Sequence, residues 1–192
     1  MGTPAETGLK GFKYADLASF PDDNLRREII DGELIVTAAP GTRHQRAVAN
    51  LTAVLSTYRN SYGGEVFPAP TDIYLSEENV VEPDVIFVRA DHLDRVEEKY
   101  VKGPADLVIE ISSPLTRRLE LIRKRGLYER FGIPEYWYVD LEAERVEIYR
   151  LEQDGYGAPS LRYPGDELQT PLLPAFSIPV EEALGASPAP RA

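Results

Sequence analysis

The sequence predicts an α/β protein in which helices flank a mixed β-sheet. Two segments, 42–62 and 113–131, carry apolar residues at helical spacing or helix start and stop signals. Short apolar runs bounded by Gly, Pro or Asp-Gly lie between these helices and after the second, as is typical of strands. The order of helix, strands, helix and strands lacks the regular alternation of a parallel βαβ protein, which favours a mixed sheet.

The first half of the chain is predicted to hold one long helix among short elements. The helix begins at Thr42, which has capping-box spacing to Gln45, and it ends before Gly63. Asp31 and Gly32 form a turn signal that predicts a strand directly after them. The predicted short elements are a helix at 14–20, a helical or extended segment at 25–30, and strands at 33–36, 65–67 and 72–75.

The second half is predicted to contain the centre of the sheet and the second helix. Residues 107–112 are apolar on both faces, so we expect them to form a buried central strand. The helix that starts after this strand is followed by Gly132, which fits the C′ position. The other predicted elements are a strand at 85–88, a helical stretch at 91–99, and strands at 136–139 and 145–151.

The chain is expected to form one domain with an extension. The core spans residues 12–151, and residues 152–184 add a β and loop extension with short edge strands. The two ends, 1–11 and 185–192, are expected to be flexible because they are rich in Gly, Pro and other small residues.

Composition restricts the chemistry that the chain can support. With 192 residues, no cysteine and two histidines, it cannot form disulfides, thiolate zinc sites or a His-rich metal centre. Any metal must therefore rely mainly on carboxylates, which favours Mg²⁺ or Mn²⁺. The net charge of −11 argues against a strongly basic nucleic-acid coat, although a local basic face remains compatible with it.

Membrane insertion is not expected. No apolar run approaches the roughly 18 residues that a membrane span needs. The first residues also lack the apolar core of a signal peptide. We therefore expect a cytoplasmic protein.

Two acidic residues stand at the ends of predicted strands. Asp84 precedes the apolar run 85–88, and Glu110 lies near the end of 107–112. If these strands pair antiparallel, the start of one lies beside the end of the other and the two carboxylates converge. Neighbouring carboxylates repel unless they share a proton or bind a cation. Oxygen ligands suit Mg²⁺, which can polarise a phosphoryl oxygen and lower the pKa of water.

Basic residues cluster on the predicted helix that follows Glu110. Lys124 lies on one helical face with Glu120 and Tyr128, where its ammonium group could position water or stabilise phosphate charge. Arginines of the same helix are candidates for contacts with nucleic-acid phosphates: Arg117, Arg118 and Arg123.

Several longer motifs accompany these residues. They are Glu-Pro-Asp-Val at 82–85, Asp-Leu-Val-Ile-Glu-Ile-Ser-Ser-Pro at 106–114, Lys-Arg-x-x-Tyr at 124–128 and Gly-Ile-Pro-Glu-Tyr-Trp-Tyr-Val-Asp at 132–140. Shorter matches occur at 30–34, 44–46 and 70–73. Together these motifs resemble a bacterial family of putative restriction endonucleases within the PD-(D/E)XK nuclease superfamily, over roughly residues 12–151.

The resemblance implies a fold and a catalytic set. The fold would be restriction-endonuclease-like, a mixed sheet flanked by helices, with Asp84 and Glu110 as metal-binding acids. The superfamily pattern places a lysine two residues after the glutamate, where this chain has Ser112. The resemblance implies that Lys124 on the next helix supplies the lysine, with Glu120 as an acid beside it.

Three further positions match the family. Glu33 resembles an additional acidic position of the superfamily. His44 and Asp72 match family positions for which the sequence gives no role.

Structural interpretations stand beside the functional ones. Glu110 is also consistent with a buried ion pair to an arginine, because a lone glutamate in an apolar strand is costly. Lys124 is also consistent with a helical ion pair to Glu120. The Arg-rich helix is compatible with a solvated face, and Tyr128 and Trp137 are expected to belong to the core.

The leading functional hypothesis is a Mg²⁺- or Mn²⁺-dependent nuclease that hydrolyses DNA phosphodiester bonds. The alternative is a non-catalytic DNA-binding or dimeric interaction module on a nuclease fold. A third hypothesis is a metal-dependent hydrolase of a small phosphorylated molecule.

A homodimer is expected, because symmetric dimers are the commonest assemblies. Apolar residues of the C-terminal extension are expected to be exposed and to offer a partner surface: Leu172, Leu173 and Phe176.

Overall fold

Two β-sheets and one long helix position the predicted site residues. The computed structural model describes residues 11–23, 25–112 and 119–186, the side chains of 119 and 120 excepted. The helical segments are α1 (Tyr14–Leu17), α2 (Thr42–Tyr62), a 3-10 helix (Ala90–Arg95), a π-helix (Leu119–Lys124), α3 (Arg125–Arg130) and α4 (Val180–Ala183). The strands are β1 (Arg26–Ile30), β2 (Glu33–Thr37), β3 (Glu65–Pro68), β4 (Asp72–Ser76), β5 (Asn79–Val81), β6 (Val85–Val88), β7 (Tyr100–Lys102), β8 (Leu107–Ile111), β9 (Glu135–Asp140), β10 (Arg145–Glu152), β11 (Gly155–Tyr156), β12 (Ser160–Arg162), β13 (Glu167–Leu168) and β14 (Ile178–Pro179).

The first sheet has the strand order β2-β1-β5-β4-β7. Strands β1 and β2 form a hairpin in which Ile30 pairs with Glu33, so the loop between them has two residues. Asp31 and Gly32 both have positive φ, at 52° and 71°, as a type I′ hairpin turn requires. The segment 25–30, compatible in sequence with helix or strand, is therefore extended.

The second sheet carries the two candidate acids. Its order is β11-β10-β9-β8-β6-β3, with β12 also paired to β10. Strand β8 is central and buried at every position, which confirms the prediction. It runs parallel to β9 and antiparallel to β6, with Val85 opposite Ile109. One step further along this register, Asp84 lies opposite Glu110.

The second sheet separates two apolar cores. On one face, Ala47, Leu51 and Leu55 of α2 pack against residues such as Ile109. On the other face, Val108 packs with residues of α3 and the first sheet. Because successive strand residues point to opposite faces, Glu110 lies on the side of Val108 and faces α3 and the first sheet.

The C-terminal extension completes the core on the α2 face. Leu173 and Phe176 are 1% and 4% exposed, and Leu172 is partly buried against the same cluster. The prediction that Leu173 and Phe176 are exposed and form a partner surface is therefore wrong, whereas Leu172 keeps part of its surface exposed. Helix α2 has an apolar face that the sheet alone does not cover, and the extension packs against it.

Other differences from the sequence predictions are local. Gly41 is the N-cap of α2 and makes no side-chain cap, so the Thr42 capping box is wrong. The helical stretch predicted at 91–99 is a shorter 3-10 helix, and the short strands β5 and β7 were not predicted. The predicted helix start at 113–118 lies outside the described residues. Gly132 does follow α3 with φ of 76°, as predicted.

No helix in the described part of the chain is long and apolar enough to cross a membrane.

Candidate active site

Asp84 sits at the start of β6 with both carboxylate oxygens engaged. Its Oδ1 accepts a hydrogen bond from Nη2 of Arg26 at 3.0 Å. Its Oδ2 accepts the backbone N–H of Ile111 at 2.7 Å and lies 3.1 Å from Nε2 of His44. Burial alone would raise the pKa of Asp84, but His44, Arg26 and the Ile111 amide outweigh burial and hold that pKa below its ordinary value. Asp84 is therefore ionised at neutral pH.

Glu110 lies across the ladder from Asp84 and is fully buried. Its Oε1 accepts hydrogen bonds from Nζ of Lys124 at 2.9 Å and from the Tyr128 hydroxyl at 2.5 Å. Its Oε2 is buried and has no hydrogen-bond partner within the described part of the chain. Burial raises the pKa of Glu110 to about 7, with Asp84 and Glu28 adding to the effect and Lys124 opposing it. Oε2 of Glu110, which lacks a hydrogen-bond partner among the described residues, is therefore available to a ligand.

Lys124 reaches the acids from the helical segment that follows β8. It is 1% exposed, and its Nζ lies 2.7 Å from Oε1 of Glu28 and 2.9 Å from Oε1 of Glu110. The position two residues after Glu110 is taken by Ser112, whose Oγ instead accepts the backbone N–H of Leu141 at 2.9 Å. Lys124 of the π-helix thus contacts Glu110, although the strand has no lysine two residues after it. Ser112, which takes that position, makes a hydrogen bond within the structure instead.

The first sheet adds charged residues that sequence analysis missed. Glu28 is buried and accepts the backbone N–H of Glu82 at 2.8 Å in addition to its contact with Lys124. Nε of Arg26 lies 2.8 Å from Oε1 of Glu82. Because Arg26 and Glu28 are two residues apart on β1, they lie on the same face of the strand. This alternation was the sequence signal that could have placed Arg26 and Glu28 together. It can be used only once residues 26–30 are known to form a strand.

Two more acids in this region, besides Glu110, hold protons more tightly than usual. Burial raises the pKa of Glu82 to about 7, with Arg26 opposing and Glu28 adding to the effect. Burial also raises the pKa of Asp72, to about 6, with a contribution from Glu28. Asp72 is therefore electrostatically coupled to Glu28.

Not every predicted site residue joins the cluster. Oε2 of Glu33 lies 3.1 Å from Nη2 of Arg123, and Arg123 also donates to the Ile30 carbonyl at 3.4 Å. The buried acid that the first sheet brings to Glu110 through Lys124 is Glu28, five residues earlier on the hairpin. Arg117 and Arg118 lie outside the described residues, as does the side chain of Glu120.

The donor set fits an oxygen-ligated cation only in part. Four carboxylates lie around the site (Glu28, Glu82, Asp84, Glu110), and the basic side chains in contact with them are Arg26, Lys124 and His44. The closeness of these carboxylates and Oε2 of Glu110, which has no hydrogen-bond partner among the described residues, both favour a bound cation. Among the described residues, however, no three acidic or histidine side chains are grouped to hold an ion. Asp84 and Glu110 would thus need water molecules to complete the shell, as is usual for Mg²⁺.

An open groove adjoins the cluster. It has a volume of about 400 Å³ and is lined by residues that include Arg26, Glu82, Gln45 and Pro70. Asp84, Glu110 and Lys124 are each at most 1% exposed. Arg26 and Glu82 therefore lie between the buried acids and the groove.

The mixed sheet flanked by helices, with Asp84 and Glu110 opposite each other at the end of an antiparallel ladder, agrees with the restriction-endonuclease-like fold that the motifs implied. A sequence model of the Uma2 family, described as "Putative restriction endonuclease", matches residues 13–181, and the chain belongs to that family. This confirms the resemblance read from the motifs.

One solved structure shows the same fold. It is the crystal structure of a putative nuclease belonging to DUF820 from Anabaena variabilis, and it superimposes with a TM-score of 0.75. The two sequences are 15% identical, and the match covers 91% of this chain and 98% of that chain. Among curated proteins, none matches this chain.

Proposed function

We propose that the chain is a divalent-cation-dependent nuclease that hydrolyses phosphodiester bonds in DNA. The observation that carries this proposal is the cluster at the Asp84 end of the β6–β8 ladder. There, the buried carboxylates of Glu28, Asp84 and Glu110 lie together, and Oε2 of Glu110 has no hydrogen-bond partner among the described residues. Membership of a family described as "Putative restriction endonuclease" supports the same reaction class.

In this proposal the two acids hold the cation and the lysine acts beside it. Asp84 and Glu110 would bind Mg²⁺ or Mn²⁺, which when bound polarises a phosphoryl oxygen and lowers the pKa of water. Nζ of Lys124, held by Glu110 and Glu28, would orient the attacking water and stabilise negative charge that develops on the phosphate. The cleaved bond is the P–O ester bond, and water supplies the new hydroxyl.

The remaining neighbours position these groups. The Tyr128 hydroxyl and Lys124 both donate to Oε1 of Glu110, which leaves Oε2 for a ligand. His44 and the Ile111 amide fix Oδ2 of Asp84, so the carboxylate is held in one orientation. Such supporting hydrogen bonds orient metal ligands in many proteins.

A cleavage assay tests this function. Plasmid DNA and single-stranded DNA are incubated with the protein and Mg²⁺ or Mn²⁺, and wild type is compared with Glu110→Gln. We expect cleavage that requires the cation and is lost in the variant, while circular dichroism shows an unchanged fold. Cleavage retained by Glu110→Gln would contradict the assignment of this residue.

A non-catalytic module is the second candidate. It is favoured by the engagement of both Asp84 oxygens with protein groups and by the absence, among the described residues, of a ready three-ligand group. No cleavage together with no heat of Mg²⁺ or Mn²⁺ binding in calorimetry would support this candidate. Turnover of a small phosphoester with nucleic acids untouched would support the third hypothesis instead.

Other assignments remain proposals. Phosphate contacts by Arg117, Arg118 and Arg123 are one, and Arg123 would have to leave its ion pair with Glu33 to make them. Homodimer formation and a cytoplasmic location are also predictions. Light scattering at high protein concentration tests the dimer, which a single-chain mass would exclude.

A further inference from the structure

Arg26 is the one basic side chain, among the described residues, that contacts the site acids and also lines the groove. Its Nε lies 2.8 Å from Oε1 of Glu82, and its Nη2 donates to Oδ1 of Asp84 at 3.0 Å. The Arg26 side chain is 20% exposed, whereas that of Asp84 is 1% exposed. Arg26 therefore stands between the buried carboxylate and any molecule that enters the groove.

The guanidinium group has donors to spare. An arginine has five N–H groups, and the contacts with Glu82 and Asp84 use only Nε and Nη2. No described residue accepts a hydrogen bond from Nη1. A planar guanidinium with a free edge beside a groove is well suited to a phosphate group, because two N–H groups can bind two phosphate oxygens.

Arg26 also shares an atom with the cation of the proposed function. From the residues that the structure describes, Oδ1 of Asp84 accepts one hydrogen bond, from Arg26, whereas Oδ2 already contacts the Ile111 amide and His44. Oδ1 is therefore the Asp84 oxygen most readily given to a cation. If a cation takes it, Nη2 of Arg26 loses its acceptor and becomes available toward the groove as well.

We propose that Arg26 binds a backbone phosphate of a nucleic-acid strand lying in the groove. In the protein without a bound cation, Arg26 neutralises Asp84. When a cation occupies Oδ1 of Asp84, Arg26 turns to the phosphate. This inference rests on the proposed function and names the residue that anchors the substrate there. It also gives an acidic protein a phosphate contact next to the site, independent of the Arg-rich helix.

The neighbouring arginine provides a matched control. Arg27 follows Arg26 on β1 and lines the same groove, but its guanidinium is held by Asp23, with Nη2 to Oδ2 at 2.6 Å, and by the Pro21 carbonyl. It contacts none of the buried acids. Arg26→Ala and Arg27→Ala thus each remove one arginine from the same groove. Only the arginine removed in Arg26→Ala contacts Asp84.

The experiment measures binding without turnover. A short fluorescein-labelled single strand of DNA is titrated with protein in Ca²⁺, over a series of salt concentrations, and calorimetry measures Mg²⁺ binding without DNA. We expect Arg26→Ala to weaken DNA binding by about tenfold or more and to lower the salt slope by about one phosphate contact. Mg²⁺ affinity should stay the same or rise, because the competitor for Oδ1 is gone. Arg27→Ala should bind DNA within about twofold of wild type.

Each outcome decides the proposal. DNA binding that is unchanged in Arg26→Ala overturns it and makes Arg26 only a counter-charge for Asp84, even if the wild type cleaves DNA. Equal losses in the two variants also overturn it, because they indicate a general charge effect. Because Arg26→Ala leaves Asp84 short of a partner, Arg26→Lys serves as a second variant that keeps the charge. It should fold like wild type and bind DNA between wild type and Arg26→Ala.

The test also separates this proposal from the proposed function. Wild-type protein that binds neither Mg²⁺ nor the DNA strand contradicts both. Wild-type protein that binds both, with Arg26→Ala unaffected, contradicts only the role of Arg26.

Discussion

The two ends of the β6–β8 ladder each carry a buried aspartate next to a histidine. At one end, Oδ2 of Asp84 lies 3.1 Å from Nε2 of His44. At the other, Oδ1 of Asp106 lies 2.7 Å from Nδ1 of His92, and Oδ2 accepts the backbone N–H of Arg89 at 2.8 Å. Both aspartates are 1% exposed. The residue types alone therefore do not distinguish the two ends.

The surroundings of the two pairs differ. Asp106 has a partner for each oxygen, and among the described residues no second buried carboxylate contacts it. Asp84 lies opposite Glu110, and a second buried glutamate, Glu28, shares Lys124 with Glu110. At the Asp106 end, both carboxylate oxygens have partners, and these contacts hold the neighbouring loop in place. At the Asp84 end, several carboxylates surround Oε2 of Glu110, which has no partner among the described residues. A cluster of buried carboxylates and an unsatisfied buried atom, rather than an Asp–His pair, indicate the functional end.

The strongest way to break this comparison is the same substitution at both ends. Asp84→Asn should lower DNA cleavage by at least about a thousandfold, because a lost cation ligand removes several kcal/mol of transition-state stabilisation. Asp106→Asn should leave cleavage within about threefold of wild type. Initial rates on plasmid DNA, with circular dichroism for folding, measure the difference. Comparable losses in the two variants would show that the ends do not differ in function.

Lys124→Met tests the buried ammonium group at the Asp84 end. We expect cleavage to fall by about 10²–10³-fold, because the group that stabilises charge on the phosphate is lost. Calorimetry should show Mg²⁺ binding that is retained or stronger, since the competing ammonium group is absent. A variant that cleaves normally would reduce Lys124 to a structural ion pair with Glu28 and Glu110.

The two histidines sharpen the comparison at a smaller scale. His44→Ala should lower cleavage by about 10–100-fold, the usual cost of removing a group that orients a metal ligand. His92→Ala should not change cleavage, although both variants should lose some thermal stability. Single-turnover rates and melting temperatures separate the two effects. If His92→Ala slows cleavage as much as His44→Ala, the losses reflect stability alone.

The pH dependence of the free energy of unfolding provides the test with the smallest expected effect. Burial raises the pKa of Glu110 from an ordinary value of 4.5 to about 7, with Lys124 opposing and Asp84, Glu28 and Tyr128 also facing the group. Between these values the folded state binds a proton that the unfolded state has released, so the free energy of unfolding falls as pH rises. Glu82, with its pKa raised to about 7, acts in the same direction.

The measurement is urea unfolding from pH 5 to pH 8. We expect the free energy of unfolding of wild type to fall over this range, with Glu110 contributing at most about 3 kcal/mol. In Glu110→Gln, the free energy of unfolding should fall less steeply with pH than in wild type. In Asp106→Asn, it should fall as steeply as in wild type. A slope that Glu110→Gln leaves unchanged would show that Glu110 does not titrate there.

Local patterns predicted much of the fold correctly. Helix α2 between Thr42 and the glycines after Tyr62, strand β6 and the buried strand β8 follow from apolar periodicity and turn signals, which depend on near neighbours in sequence. Where local signals were weak, prediction failed. The three-residue strands β5 and β7 carry no pattern of their own and exist because a neighbouring strand pairs with them.

The tail shows the same limit. Leu173 and Phe176 follow scattered Gly and Pro residues, so their sequence resembles an exposed extension. They are buried because α2, more than a hundred residues earlier, presents an apolar face to them. No local pattern can report a contact between segments so far apart.

The sequence by itself determined the mixed α/β fold and the meeting of Asp84 with Glu110, because antiparallel pairing of two recognisable strands brings their ends together. The motifs also pointed to Lys124. Only the tertiary structure decided which other charges surround these acids. Glu28 and Arg26 reach them from a different sheet, and Glu33, the more obvious acid on the same hairpin, pairs with Arg123 instead. The physical reason is that a strand's register follows from its own residues, whereas the packing of one sheet against another depends on the whole chain.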